Sequence, residues 1–381
     1  MSPSKPLHIV IWAFPSWKGD YLKSTVELAK ELAVNNKVLY IDYAHTIKDR
    51  VQGKSNAVNP SLRKERLANG ASIHILTLPA IIPFNWTNSQ AIYELIESVN
   101  FQIIQHTVRK ATDALGFQQA IIINAFNPFF HKAAKKLFPN QPYLYYCYDN
   151  IDVATWAKKH GSRLEQQTMN EADAVVFSSQ ALKTHKQYNI PAYVVNNGVD
   201  LRNFQQVTTP PNKDKVIVGY VGSVDDRLDY DLLTYIISNH PQWEFQFIGR
   251  IMCQAAWELE RYRNVRLLGA KPAHELPGLM AQFSVGIIPF IRNEFTSNIY
   301  PMKVNEYLAI GLPVVMTDFA VLADLNELVM IATDKATFEN AIDNALLQND
   351  EETMALRKAK AYKNSWENKA MELEQIIREY V

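Results

Sequence analysis

The 381-residue sequence predicts an α/β protein built on two doubly wound parallel sheets. Short apolar runs of strand type alternate with segments at helical spacing along nearly the whole chain. The alternation breaks once, in a polar stretch with two adjacent prolines, and then restarts. The length also exceeds what one ordinary core organises and suits two domains of roughly 150–200 residues each.

In chain order, HIVIWAF (8–14) opens the first half as a strand. A polar loop, PSWKGD, leads to a helix from about Tyr21. There Leu22, Val26, Ala29 and Ala33 recur at helical spacing, and Asp20 fits the N-cap. KVLYIDY (37–43) and SIHILTLPA (72–80) read as strands, followed by a long helical stretch over 88–115. QAIIINAF (119–126), YLYYCYD (143–149), AVVFSS (174–179) and AYVVNN (192–197) complete the first strand set. LRNFQQVTTPPNKDK (201–215) reads as a linker. The second set is VIVGYVGS (216–223), EFQFIGR (244–250), NVRLLGA (264–270), SVGIIPF (284–290), PVVMTD (313–318) and LVMIAT (328–333). The charged tail, 351–381, is helical with an interruption near KNSW (363–366). The expected organisation is a Rossmann-like domain over 1–200, a linker over 201–215, a second Rossmann-like domain over 216–350, and C-terminal helices over 351–381 that cross back to the first domain. The two domains are expected to face a central cleft.

Charge is balanced, 39 Lys+Arg against 39 Asp+Glu, but unevenly placed. Residues 1–200 hold 21 basic and 15 acidic side chains, and residues 201–381 hold 18 and 24. A basic half can steer toward an anionic partner, although solvated surface explains the same numbers. Nothing here points to nucleic acid. The two cysteines, Cys147 and Cys253, lie far apart and in no metal-ligand pattern, which suits a reducing, cytoplasmic compartment. The first apolar run is too short for a signal-peptide core, and no run of about 18 apolar residues is long enough to span a bilayer. The acceptor-type triplet NWT (85–87) reads as coincidence in that setting.

The stretch NIYPMKVNEYLAIGLPVVMTD (298–318) carries the most chemistry. Pro301 suits the first turn of a helix, and Val304, Tyr307 and Leu308 form one apolar face. Gly311 suits the C′ position, and Pro313 prevents continuation. A helix starting beyond a strand's carboxyl end points its free N–H groups at the ligand edge of a doubly wound sheet, where they favour phosphate. Lys303 in the first turn adds a full positive charge. Glu306, one turn on, can hold a ribose diol. The bland alternative is a surface ion pair at i, i+3, contributing about 0.2–0.5 kcal/mol.

PMKVNEYLAIGLPVV resembles the P-x-K-x-x-E-Y-x-A-x-G-x-P-V-V signature of GT-B fold glycosyltransferases. It is most similar to the large retaining family that includes bacterial polysaccharide and teichuronic-acid enzymes. VGYVGSVDDRLDYDLL (218–233), EADAVVFSSQAL (171–182) and VVNNGVD (194–200) extend the resemblance in the family's order. The resemblance implies a nucleotide-diphosphate sugar as co-substrate, with UDP as the expected nucleotide and no separate cofactor. It places Glu306 on the donor ribose, Lys303 near the diphosphate, and Gly222 and Ser223 on the phosphate-approaching loop, with Arg227 near a basic position. Arg250, closing EFQFIGR, joins the expected donor set. Many retaining members carry a glutamate eight residues before the ribose glutamate; here that position is Asn298. YPMKVNEY also resembles the donor site of the inverting xanthan glucuronosyltransferase, where a Met-Lys pair contacts the nucleotide. That adds Met302 and the neighbouring Tyr300. It also points to Asp149, in YYCYDN, as a general base.

The expectation is that the second domain binds the donor and the first the acceptor; there Asp149 stands at a strand's carboxyl end, where it can take a proton from an acceptor hydroxyl or simply cap its own turn. Asn150 and Asp152 can substitute for it, and His131 and His160 are further candidates. Trp17, Lys18, Gly19 and Asp20 follow the first strand and are expected at the acceptor or the transferred sugar; a tight turn is the alternative. That segment lacks G-x-G-x-x-G, which weighs against a dinucleotide. No metal is expected, and Asp225–Asp226 reads as a solvated loop. LPAIIPFNW (78–86), RKER (63–66) and KAAKKLF (132–138) raise a peripheral contact with an anionic membrane surface at its inner face. The expected function is transfer of a sugar to a hydroxyl of a glycan or lipid-linked glycan in cell-surface polysaccharide synthesis. The alternatives are a sugar-nucleotide epimerase and a non-catalytic sugar-nucleotide-binding subunit.

Overall fold

The protein is represented by a computed structural model, which describes residues 5–19, 22–53, 59–117, 119–204, 215–325 and 327–381. The chain divides into two compact units, Met1–Asn196 with Trp366–Val381, and Asn197–Ser365.

The first unit holds strands β1 (His8–Ala13), β2 (Lys37–Ile41), β3 (Ser61–Arg66), β4 (Ser72–Thr77), β5 (Ile121–Ala125), β6 (Tyr143–Cys147), β7 (Ala174–Phe177) and β8 (Ala192–Val194). They form one sheet in the order β3-β4-β2-β1-β5-β6-β7-β8, parallel throughout except for β3. The central strands β5 and β6 are buried along their whole length, so their sequences are apolar runs rather than alternating ones, interrupted only by the hydrogen-bonded Asn124. Its helices are α1 (Ser24–Asn35), α2 (Ile47–Val51), α3 (Gln90–Leu115), α4 (His131–Leu137), α5 (Gly161–Glu171) and α6 (Gln180–His185). Ser89 caps α3 through the Ile92 amide, and Gly116, at φ 73°, ends it.

Two features of this unit escape the sequence pattern. SLRKER is strand β3, paired antiparallel with β4 from Ser61↔Thr77 to Arg66↔Ser72. Its charged residues suit an exposed edge, where they discourage further pairing, and for that reason it carries no hydrophobic signature. RKER is therefore part of the sheet. The N-cap of α1 is Lys23, without a side-chain cap bond, in place of the expected Asp20; Asp20 and Tyr21 lie outside the described residues.

The second unit holds β9 (Ile217–Val221), β10 (Glu244–Ile248), β11 (Val265–Gly269), β12 (Val285–Ile288), β13 (Val314–Thr317) and β14 (Val329–Ala332), all parallel, in the order β11-β10-β9-β12-β13-β14. Its helices are α7 (Tyr230–Asn239), α8 (Gln254–Glu258), α9 (Leu276–Met280), α10 (Met302–Ala309), α11 (Lys335–Leu347) and α12 (Glu351–Lys363). Asp229, Asp334 and Asp350 cap α7, α11 and α12. Gly311, at φ 77°, turns the chain out of α10, and a Cβ there would lie 2.2 Å from Met354 Cγ of α12. Glycine is thus required both for the turn and for the packing.

Helix α13 (Trp366–Arg378) belongs to the first unit, where it packs on α1 and Glu374 accepts a hydrogen bond from Asn36. The expected linker contains a single turn, Leu201–Asn203, among its described residues; 205–214 lie outside them. Asn197 belongs to the second unit, ahead of the expected boundary, because its side chain donates to the Tyr300 carbonyl and its own carbonyl accepts from Asn305.

Candidate functional site

In the second sheet the strand order reverses at β9, whose neighbours are β10 and β12. The carboxyl ends of β9 and β12 flank this switch point, where a doubly wound sheet binds ligands. The turn after β9, Gly222–Ser223, stands there. Gly222 has φ 154°, and its amide donates to the Ile248 carbonyl. Gly249, after β10, packs directly on it: a Cβ on Gly249 would lie 1.8 Å from the Gly222 carbonyl oxygen. Two glycines in backbone contact thus set the height of the turn. Tyr220 fixes its far side, its hydroxyl donating to the Ser223 carbonyl at 3.0 Å.

Helix α10 is held to this turn from beneath. The fully buried Tyr307 accepts a hydrogen bond from the Val221 amide at 2.8 Å, tying the helix to the last residue of β9. Asn305, also fully buried, donates to Asn197 and accepts from Asn364. Pro301 is the N-cap, with extended backbone, rather than a first-turn residue. Gly249 and Asn305 are positioning residues that the sequence reading did not single out, and Tyr307, read there only as part of the apolar face of the helix, is a third.

Lys303 and Glu306 meet each other: Lys303 Nζ lies 2.7 and 2.6 Å from the two Glu306 carboxylate oxygens. This is not the solvated surface pair of the bland reading, because the Glu306 side chain is only 6% exposed and that of Lys303 24%. The pair holds an ammonium at the helix's first turn with a carboxylate beneath it. Met302, at the head of α10, is half-buried. Asn298 is buried and donates to the Glu294 carbonyl at 2.7 Å. Tyr300 is buried too, and its hydroxyl is taken by Asp324 and Asn364, which gives it a place in the core. Arg227 forks onto Asp225 at 2.7–3.1 Å and lies over the Phe290 ring. Asp225 is therefore an ion-pair partner, a correction to its reading as solvated; Asp226 is exposed. Arg250 is exposed beside Gly249.

In the first sheet the order reverses at β1, whose neighbours are β2 and β5. Trp17 is buried: its amide donates to Asp42 and its indole to Glu65 of β3. Lys18 and Gly19 are exposed, and Lys23 Nζ clamps their loop through the Ser16 and Lys18 carbonyls. The sequence reading did not separate these structural and exposed positions. Asp149 accepts from the Asn150 amide at 2.8 Å, so it does cap its turn, and it remains half-buried. Asn150 is buried in a polar network: it accepts from Lys186, whose ammonium also lies 2.7 Å from Asp152 and 2.7 Å from Glu165. Burial opposes the Lys186 charge, but these carboxylates hold its pKa above the ordinary value. Burial, with Glu165 beside it, pushes the Cys147 thiol well up, making it a packing residue. His131, between Tyr143 and Glu171, and His160, on the Thr87 carbonyl, are buried structural groups.

The family described as Glycosyl transferases group 1 matches residues 215–349, the body of the second unit. A Bacillus subtilis (strain 168) protein named as a teichuronic acid biosynthesis glycosyltransferase, TuaH, is 26% identical over 168 residues. That match spans 40% of this chain and 42% of the relative's own length. Among solved structures, sucrose-phosphate synthase from Thermosynechococcus elongatus superposes with a TM-score of 0.71 at 15% identity, over 98% of both chains. Trehalose-6-phosphate synthase from Burkholderia multivorans gives 0.69 at 12%, over 98% of both. At such identities these structures establish the fold alone. The chain thus carries a glycosyl transferases group 1 domain on residues 215–349 and has the two-sheet GT-B architecture of glycosyltransferases.

Proposed function

We propose that the protein is a glycosyltransferase moving a sugar from a nucleotide-diphosphate sugar to a hydroxyl of a glycan or lipid-linked glycan. The observation that carries this reading is the Gly222–Ser223 turn at the second switch point together with α10, which Tyr307 ties to the strand before that turn and which carries the Lys303–Glu306 pair at its head. Amide groups and the ammonium there suit a diphosphate, and the carboxylate suits a ribose diol. On leaving, the diphosphate gains charge that Lys303 and the helix dipole stabilise. Arg227, Arg250, Met302, Asn298 and Tyr300 stay in the proposed donor surround, the last two through shape rather than direct contact. The sugar nucleotide is a co-substrate, and no separate cofactor is proposed.

UDP is the proposed nucleotide; one fold neighbour, from E. coli, is described with UDP-2-fluoro glucose bound. A role in cell-surface polysaccharide synthesis follows the name of the TuaH relative. Asp149 is proposed as base if the product is inverted, and as an auxiliary group if it is retained. Near-native turnover by Asp149→Asn removes the base role.

Peripheral membrane contact is a further part of the proposal. Among the described residues no helix is long and apolar enough to cross a membrane. The lysines of 132–138 are partly occupied, Lys132 by Glu94 and Glu97 and Lys136 by the Phe101 ring. The support lies instead in exposed Trp86 and in Ile92, Leu95 and Val99, which share one face of α3. Sedimentation with anionic liposomes tests it.

The donor reading is tested by thermal shift with UDP, GDP, dTDP and their sugars, then by product analysis with whichever ligand stabilises. Ligand at about 100 times its Kd stabilises by about 2.7 kcal/mol. No shift with any of them refutes the donor site.

A further inference from the structure

Four adjacent strands of the first sheet, in the order β2-β1-β5-β6, each release an aromatic residue at the carboxyl end: Tyr43, Phe14, Phe126 and Tyr148. These rings meet. Phe14 stands edge-on to Tyr43 at 5.7 Å and to Phe126 at 6.4 Å, and Phe126 lies 4.5 Å from Tyr148. Trp156, further along the chain after β6, stacks nearly flat on Phe14, with centroids 4.3 Å apart and planes 17° apart. It is nevertheless 43% exposed. The cluster therefore has a buried floor and an open indole, and it sits at the switch point of the first sheet.

Its floor is held in an uncommon backbone state. Phe126 has φ 53°, one of two non-glycine residues with positive φ among the described residues, and it is 2% exposed. A bulky side chain in the left-handed region is disfavoured and persists only where its surroundings over-determine it. Here the Phe126 amide donates to the Tyr146 carbonyl at 2.9 Å, and the ring is fixed under Trp156 and against Tyr148. The next residue after Tyr148 is Asp149, so a half-buried carboxylate borders the aromatic surface.

Resting on the reading that the first unit takes the acceptor, we infer that Phe14, Phe126, Tyr148 and Trp156 form a platform for a pyranosyl ring of that acceptor. A pyranose presents a face of C–H groups with slight positive charge, which matches the negative face of an indole. Its rim of hydroxyls needs acceptors, and Asp149 supplies one beside the platform. A hydrocarbon chain would match the rings alone, whereas the hydroxyl rim of a pyranose also suits the carboxylate that follows Tyr148. Trp156 sets the orientation of the ring, and with it the hydroxyl offered to Asp149. It is a positioning residue for the transfer.

The test uses the full chain, a printed array of α- and β-linked hexose, hexuronate and N-acetylhexosamine oligosaccharides, and phosphatidylglycerol-containing vesicles. The native chain binds at least one oligosaccharide. Trp156→Ala weakens that binding at least tenfold, Trp156→Phe keeps it within threefold, and Trp257→Ala, an exposed indole on α8 of the second unit, leaves it unchanged. UDP affinity, read in parallel, is unaltered by Trp156→Ala. Equal glycan binding by Trp156→Ala overturns the inference. So does a native chain that binds vesicles through Trp156 and no glycan, which makes the patch a lipid contact. A parallel loss of UDP affinity in Trp156→Ala also overturns it, because the substitution then acts through the fold. If the native chain binds glycan through Trp156 but no nucleotide, the donor reading fails and the platform stands.

Discussion

Replacing Lys303 by methionine separates a binding role from a structural one. In the native protein its ammonium lies 2.7 and 2.6 Å from the two oxygens of a Glu306 carboxylate that is 6% exposed. Lys303→Met leaves that carboxylate buried without the ammonium. Breaking a fully buried pair costs about 3–5 kcal/mol. Lys303 is a quarter exposed, so solvent screens one side and the expected loss falls to about 2 kcal/mol. For a unit of this size that lowers Tm by about 4–8 °C. The diphosphate loses a charge-assisted hydrogen bond of about 1.5–3 kcal/mol, which weakens UDP binding by roughly 10- to 100-fold. Glu306→Gln keeps the shape without the buried charge. In Lys303→Met/Glu306→Gln the stability therefore returns toward native, while the UDP affinity does not. Differential scanning fluorimetry and titration calorimetry with UDP read the two quantities separately. A Lys303→Met protein that melts early yet binds UDP within twofold of native refutes the reasoning: the pair then serves the fold alone.

Gly249→Ala places a Cβ 1.8 Å from the Gly222 carbonyl oxygen, a backbone atom that cannot rotate away. We expect about 3 kcal/mol of destabilisation and about tenfold weaker UDP binding as the Gly222–Ser223 turn is displaced; unchanged melting and binding contradict the contact. Lys186→Met strands Glu165, 1% exposed, and should cost about 3–5 kcal/mol in urea denaturation. Adding Glu165→Gln should recover part of that, and failure to recover any removes the ion pair as the cause. Burial holds the His131 imidazole below its ordinary pKa despite the hydrogen bond it donates to Glu171, which pulls it up. The folded state then binds this proton less readily than the unfolded one. Its contribution is fully present above the unfolded value of about 6.5 and is lost as the pH falls from there through the lower folded value. The drop in urea midpoint from pH 7.5 to 5.5 should shrink in His131→Gln; an identical drop in both proteins discounts this histidine.

The architecture was legible because buried parallel strands must be continuous apolar runs. IIINA and YLYYC, enclosed on both faces, carry that signal in every residue but the buried Asn124. Edge strand β3 was not legible, because an exposed edge selects charges, and SLRKER reads like surface. The head of α10 was legible too, since proline, glycine and a Lys–Glu pair at i, i+3 are local features. Its anchoring was not: Tyr307 meets Val221 across 86 residues and Asn305 meets Asn197 across 108. The same distance hid the aromatic cluster of the first sheet, although each of the runs WAF, IDY, NAF and CY ends on one of its rings.

By itself, the sequence determined the alternation of strands and helices, the two sheets, and the short helix with its charged first turn. These follow from local sterics and from the period of burial. Only the tertiary structure decided strand order, and with it the two switch points. It also decided that Glu306 is buried, that Gly249 rests on Gly222, and that Phe14 and Trp156 stack. Such facts depend on contacts between residues tens to hundreds of positions apart, whose pairing is fixed by packing of the whole unit and leaves no periodic trace along the chain.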